Sequence, residues 1–145
     1  MVYDLEQVAM ITGFTTRTLR SHISRGLLAG EKAEGRWRFT SEALDSYMSD
    51  PAVGRQIRSN HRSLIYDFLS APVRTEDRVC TVMDFPVTEE ARRIAVFFSA
   101  LMTERGKDME FRYIAEKHFA RFILTGPIDA VADFMRAYRE RKEQE

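Results

Sequence analysis

The sequence lacks the features that mark several large protein classes. Cys80 is its one cysteine, so an intramolecular disulfide and a four-cysteine zinc site are both excluded. The longest apolar stretch, Ile94–Met102, is far shorter than a bilayer span, and we expect no membrane segment. The first residues lack the basic region and apolar core of a signal peptide, so we expect a cytoplasmic protein.

Neither sign of charge is in excess. The 145 residues include 22 basic and 22 acidic ones, and 44% are hydrophobic, which is typical of a soluble globular protein. A nucleic-acid partner would therefore have to be bound through local charge. Acidic residues are absent from Gln7 to Gly30 and again from Pro51 to Tyr66, and each stretch contains three arginines. Positive charge is thus concentrated in two segments.

The N-terminal residues predict two short helices joined by a tight turn. Asp4 and Gln7 have the spacing of a capping box at the start of the first helix, and Gly13 ends that helix. Thr15 caps the second helix, whose Leu19 faces inward. Five polar residues share the outward face of this helix: Thr16, Arg17, Arg20, Ser21 and Ser24.

A basic hairpin is predicted over residues 30–39, with its tip at residues 31–35. The alternation from Arg36 to Phe39 places Arg36 and Arg38 on one side of the hairpin and Trp37 and Phe39 on the other. The hairpin should therefore present charge outward and pack its aromatic side chains inward.

Two further helices complete the first half of the chain. Ser41 or Thr40 starts the third helix, and Asp50-Pro51 opens a fourth that runs to about Leu69. Three arginines recur at helical spacing on one face of this fourth helix: Arg55, Arg58 and Arg62.

The second half predicts the order β-α-β-β-α. We expect a strand at 79–87, a helix from Thr88 to Gly106, strands at 109–115 and 118–124, and a last helix opened by Gly126-Pro127. The predicted class is therefore α+β, with one part at residues 1–70 and a second at 75–145.

The first part resembles the winged helix-turn-helix of the MerR-like and excisionase-like families. The matching residues are Val8-Ala9, Gly13, Thr18-Leu19-Arg20, Gly26-Leu27-Leu28, the wing Gly35-Arg36-Trp37-Arg38-Phe39, and Ser41 to Leu44. MerR-type activators usually carry two tyrosines and a glutamate where Ser21, His22 and Ile23 stand here, and the wing is closer to the excisionase branch. The resemblance implies DNA binding, with the second helix in the major groove and the wing on the backbone or minor groove.

The residues themselves support a DNA interface. Thr16, Arg17, Arg20, Ser21 and Ser24 suit base edges and phosphates, and no acid interrupts them, as it usually would on an ordinary solvated face. Arg36 and Arg38 suit phosphates, the alternative being charge that protects an edge strand. Arg55, Arg58 and Arg62 are equally consistent with flanking phosphate contacts and with a solvated helix face.

Other chemistry has little support in the sequence. His22, His61 and His118 lie in three different predicted elements and have no metal-ligand spacing, so we expect no metal and no cofactor. Cys80 has no candidate general base near it in the sequence, so we interpret it as a small, buried apolar residue. We expect no enzymatic activity.

The second part contains many aromatic residues. Apolar residues occupy both odd and even positions of its strand at 118–124, so both faces of that strand are apolar. The two helices of this part can cover only one sheet face, so we expect a second copy of the chain on the other, with a small-molecule effector pocket as the rival. The predicted function is a transcriptional regulator that binds double-stranded DNA as a homodimer. The alternatives are an excisionase-like protein that bends DNA and a protein-interaction adaptor.

Overall fold

A computed structural model describes residues 2–86 and 88–144, and it is mixed helix and strand, which confirms the predicted α+β class. Twelve elements follow one another along these residues: β1 (Val2–Tyr3), α1 (Leu5–Thr12), α2 (Thr16–Ser24), β2 (Glu31–Ala33), β3 (Arg36–Thr40), α3 (Ser41–Ser49), α4 (Pro51–Ser70), β4 (Arg78–Phe85), α5 (Thr88–Arg105), β5 (Glu110–Ala115), β6 (Ala120–Pro127) and α6 (Ile128–Gln144).

The predicted caps of the first two helices are present. Asp4 Oδ1 accepts a hydrogen bond from the Gln7 amide at 2.8 Å, and Gln7 Oε1 accepts one from the Asp4 amide at 2.9 Å. Gly13 ends α1 with φ at 79°, a left-handed conformation that suits glycine. The Thr15 hydroxyl caps α2 by accepting from the Thr18 amide. These caps satisfy helix-end groups that otherwise lack partners, and they fix the turn between the two helices.

The wing is the hairpin of β2 and β3, and its turn is the pair Glu34-Gly35. Both residues have positive φ, at 54° and 76°, as in the two-residue turns that match the twist of a hairpin. β1 pairs with the other edge of β3 and makes a three-stranded antiparallel sheet. Sequence analysis did not predict β1, because two residues are too few to show an alternating pattern.

The C-terminal sheet has the order β4-β6-β5 and is antiparallel throughout. Our placement of Gly126-Pro127 at the start of the last helix was wrong. Both residues belong to β6, where they pair with Val79 and Arg78, and α6 begins at Ile128. β4 ends at Phe85, and Val87, which we had placed in that strand, lies outside the described residues.

One aromatic cluster fills the space between this sheet and its two helices. Phe122 is fully buried at its centre, with the Tyr113 ring at 4.9 Å and the Phe85 ring at 5.2 Å between centroids. Phe98 of α5 is 6.1 Å from Phe122, and Phe111 is 5.9 Å away. Edge-on and offset contacts of this kind add to the free energy that burial itself contributes.

The two halves of the chain share one hydrophobic core. α1 packs against β5, and buried residues of α1, α3, α5 and both sheets form a single cluster. Arg92 of α5 forms an ion pair with Asp45 of α3 at 2.6 Å. The predicted boundary at residues 70–75 falls in the loop between α4 and β4, and it stays a prediction. The shared core shows that the halves support each other.

The second face of the C-terminal sheet is partly covered from within the chain. Strand register places Arg112, Ile123 and Thr125 on the face opposite Phe111 and Phe122. The C-terminal part of α4 lies over this face, and Ile123 is only 1% exposed. We expected a second copy of the chain to provide this cover. α4 covers only part of the face, because Val82, which pairs with Ile123 on the same face, is 47% exposed, and the second copy stays a prediction.

Candidate nucleic-acid interface

The outward face of α2 is exposed and free of acidic residues. Arg17, Arg20, Ser21 and Ser24 are all exposed, whereas Thr16 is half-buried at the first position of the helix. Among residues 2–86 and 88–144, neither Arg17 nor Arg20 has an ion-pair partner or a side-chain hydrogen bond. The two guanidinium groups are therefore available to a ligand outside the chain.

The inward face of α2 is anchored by packing and by one side-chain hydrogen bond. Leu19 is fully buried. His22 Nδ1 lies 2.5 Å from the hydroxyl oxygen of Tyr47 in α3, and the Phe14 ring lies 5.2 Å from the imidazole. Burial and the nearby charge of Arg25 lower the pKa of His22, which favours the neutral imidazole in this hydrogen bond. This anchor holds the orientation of the helix, and sequence analysis missed it.

The wing has the two faces that its alternation predicted. Arg36 and Arg38 are exposed, while Phe39 is 1% exposed and Trp37 is half-buried. The Trp37 and Phe39 rings stack with centroids 6.2 Å apart, and the Lys32 ammonium lies 5.2 Å from the Trp37 ring. The aromatic side thus holds the hairpin on the domain, and the arginines are left at the surface.

The three arginines of α4 differ in their surroundings. Arg55 and Arg62 are exposed, but Arg58 is half-buried and forms an ion pair with Glu116 at 3.1 Å. A phosphate contact by Arg58 would have to replace that pair. Arg58 therefore joins α4 to the β5–β6 loop, and only Arg55 and Arg62 are open candidates for flanking contacts.

The C-terminal end of α1, just before the helix-turn-helix turn, is fastened by side chains from elsewhere in the chain. Arg112 Nη1 donates to the Met10 carbonyl at 3.0 Å. His61 Nε2 donates to the Ile11 carbonyl at 3.0 Å, and Asn60 Nδ2 donates to the Thr12 carbonyl at 3.1 Å.

These three bonds satisfy carbonyls at a helix end and tie the turn to α4 and β5. No local sequence signal reveals them, since the donors are 48 to 102 residues away from their acceptors. The position of α2 therefore depends on residues far outside the helix-turn-helix segment.

His61 should make stability depend on pH. Burial is the main cause that lowers its pKa to about 4, with the charges of Arg112 and Arg121 adding to the effect. Below about pH 6.5 the unfolded chain takes up a proton that the folded chain binds only near pH 4. Stability should fall by roughly 2–4 kcal/mol across this window, on the scale of about 1.4 kcal/mol for each unit of pKa shift.

Chemical denaturation at a series of pH values measures this loss. His61→Gln keeps an amide donor for Ile11 and does not titrate, so it should show a smaller loss of stability between pH 6.5 and 4.5. His118→Gln changes an exposed histidine and should follow the wild type. Equal pH slopes for His61→Gln and the wild type would contradict the assignment.

Comparison with known proteins identifies the class of the N-terminal part. Residues 2–50 match the family model of a helix-turn-helix domain. The searches of curated proteins and of solved structures gave no match. The match spans β1 to the end of α3 and confirms the predicted helix-turn-helix region, a class of domain that binds DNA. No helix described in residues 2–86 and 88–144 is long and apolar enough to cross a membrane.

Proposed function

We propose that this protein is a sequence-specific DNA-binding transcriptional regulator that acts as a homodimer and has no catalytic role. The exposed, acid-free face of α2 is the observation that carries the proposal. Arg17 and Arg20 are unpaired there within the described residues and stand beside Ser21 and Ser24. Arginine reads guanine edges by paired hydrogen bonds, and serine hydroxyls donate to phosphates.

The dimensions of α2 fit this role. Its nine residues span about 13 Å at about 1.5 Å per residue, and a helix of this size enters the major groove. The wing would lie on the adjacent backbone, with Arg36 and Arg38 against phosphates. Two alternatives are an excisionase-like protein that bends DNA and an adaptor whose α2 face binds protein.

Salt dependence of binding tests the proposal against the adaptor. Binding to a duplex pool of random sequence, measured by fluorescence anisotropy, should weaken steeply as salt rises, because each phosphate contact releases counterions. Arg17→Ala and Arg20→Ala should each reduce this binding. An absence of binding at low salt would overturn the DNA-binding proposal and favour the adaptor.

The wing should contribute affinity without sequence preference. Arg36→Ala and Arg38→Ala should weaken specific and random duplexes nearly equally, and each should lower the salt slope by about 1. Salt titrations on both kinds of duplex provide the measurement. Lys32→Ala is a useful control, because Lys32 lies over the Trp37 ring and is less free to contact DNA. If the variant with both Arg36→Ala and Arg38→Ala has the salt slope of the wild type, the wing makes no phosphate contacts.

The homodimer in this proposal is supported by exposed apolar residues at the end of α4 and in the loop that follows it. Tyr66 and Leu69 of α4 are 69% and 75% exposed, and Val73 of the loop is 73% exposed. Apolar surface of this kind favours a protein contact. A dimer would also place two recognition helices about one DNA turn apart, at roughly 34 Å.

Sedimentation of the full chain at micromolar concentration should therefore give a dimer. Leu69→Glu should shift the protein to a monomer, because it places a charge in the contact. Ser59→Glu adds the same charge at another exposed position of α4 and should remain dimeric. A monomeric wild type would remove the homodimer from the proposed function.

A further inference from the structure

An open cleft separates the C-terminal part of α4 from the second face of the C-terminal sheet. Its volume is about 360 Å³, within the range of sites for small molecules. Asn60 and Ser63 line it from α4, and Arg112 and Thr125 line it from the sheet. Gly13, the turn residue of the helix-turn-helix, also reaches its wall. The cleft thus touches both halves of the chain.

Three arginines line the cleft. Arg74, Arg78 and Arg112 lie there with the carboxylates of Asp67 and Glu110, and Arg78 also forms an ion pair with Glu76 at 2.8 Å. Arg112 is bonded to Glu110 at 3.3 Å and to the Met10 carbonyl, yet its Nε is shielded from solvent and has no hydrogen-bond partner among the described residues. Burial lowers the pKa of Arg112. A further negative charge in the cleft would stabilise this buried guanidinium.

The cleft also has an apolar wall. Leu64 and Phe68 of α4 line it, and the guanidinium carbon of Arg74 lies 4.6 Å from the centre of the Phe68 ring. A ligand that fits this surface needs an oxyanion for the arginines and a flat apolar body for the Phe68 side. Ser63 is exposed and also lines the cleft, and its hydroxyl is an additional hydrogen-bond group.

We propose that this cleft binds a small organic oxyanion, a carboxylate or phosphate ester attached to an aromatic or similarly flat apolar group. The same residues link the cleft to the DNA-binding turn. Asn60 and Arg112 line the cleft and also hold the carbonyls of Thr12 and Met10 at the end of α1. A Cβ at Gly13 would lie 3.3 Å from Arg112 Nε, so the turn and the guanidinium are in close contact.

The oxyanion would interact with the guanidinium of Arg112, which also donates to the Met10 carbonyl at the end of α1. Binding in the cleft would therefore alter the contacts that position the turn before α2. This effect on DNA rests on the proposed function, whereas binding in the cleft does not. The molecule would be an effector-responsive regulator whose ligand site lies between its halves.

Calorimetric titration of the full-length protein tests the cleft. Phenyl phosphate and benzoate are the probes, and benzyl alcohol and benzylamine are their neutral and cationic counterparts. The two anions should bind one to one with a Kd below about 1 mM, at least tenfold tighter than the other two compounds. Ser63→Glu places a carboxylate in the cleft and should weaken anion binding at least tenfold. Ser59→Glu, also exposed on α4, should leave it unchanged.

A second variant, Arg74→Gln, should also weaken anion binding, because it removes the charge of one of the arginines that line the cleft. It should keep the fold, because Arg74 is exposed on the loop after α4. Circular dichroism confirms that each variant is folded. Absence of binding by both anions overturns the proposal, as does equal binding by Ser63→Glu and the wild type, or equal affinity for benzylamine.

The link to DNA is measured separately. Saturating phenyl phosphate should change the affinity of the wild type for DNA at least threefold at constant ionic strength, and it should not change that of Ser63→Glu. If phenyl phosphate binds but the affinity for DNA does not change, the proposed coupling between the cleft and DNA binding is overturned, whereas the oxyanion site in the cleft is supported. If the protein binds no DNA, the titration alone still decides the cleft.

Discussion

Phe122→Ala should destabilise the whole protein by about 3–5 kcal/mol, the usual cost of removing a fully buried phenylalanine ring. Phe122 is 0% exposed and lies at the centre of the aromatic cluster between β6 and the helices α5 and α6. Its neighbours Phe98, Phe111 and Tyr113 would surround a cavity, and the rigid sheet offers little chance of collapse around it.

The fluorescence of Trp37 can show whether this destabilisation extends to the N-terminal half of the chain. Trp37 is the one tryptophan of the chain and lies in the wing, far along the sequence from Phe122. Because the halves share a core, Trp37 fluorescence and far-ultraviolet circular dichroism should report a single transition that shifts by the same amount. Val82→Ala trims a residue of the same sheet that is 47% exposed, and it should cost less than about 1 kcal/mol. An unshifted Trp37 transition in Phe122→Ala would mean that the halves unfold independently.

Arg20→Ala should weaken binding to a specific DNA site by about 1–3 kcal/mol, the range for one good base contact. This loss corresponds to roughly 5- to 150-fold in Kd, at about 1.4 kcal/mol for each factor of ten. The fold should persist, since Arg20 is exposed and unpaired within the described part of the chain, whereas Leu19 beside it is buried.

Competition binding, measured on the specific site and on a random duplex, separates a loss of specific affinity from a general loss of DNA affinity. Arg20→Ala should lose more affinity for the specific site than for the random one. Arg93→Ala removes an exposed arginine of α5 and should bind both duplexes as the wild type does. An Arg20→Ala protein with native stability and unchanged specific affinity would remove α2 from the recognition role.

Local chemistry accounts for the parts of the fold that the sequence predicted well. Asp4 with Gln7, Thr15, Gly13 and Asp50 act within a few residues of their own position, so their caps can be recognised from spacing. The end of β6 was less predictable. Gly126-Pro127 has the composition of a helix start, and only the pairing with β4 keeps it in the sheet.

The candidate site divides in the same way. The exposure of Arg17 and Arg20, and of Arg36 and Arg38, follows from helical and strand periodicity, and the structure agrees with it. The ion pair of Arg58 with Glu116 could not be foreseen, because it depends on how α4 packs on the β5–β6 loop. The bonds that hold α1 were hidden for the same reason, since their donors come from α4 and β5.

Selection of bound sequences from a random DNA library, with the full-length protein, tests the central claim most directly. Recognition by α2 of a dimer predicts an enriched motif with two-fold symmetry, whose half-sites are centred about one DNA turn apart. The same selection with Arg20→Ala should relax the preference at one position in each half-site. Enrichment of direct repeats would favour the DNA-bending alternative. A pool that shows no enriched sequence would contradict sequence-specific DNA binding.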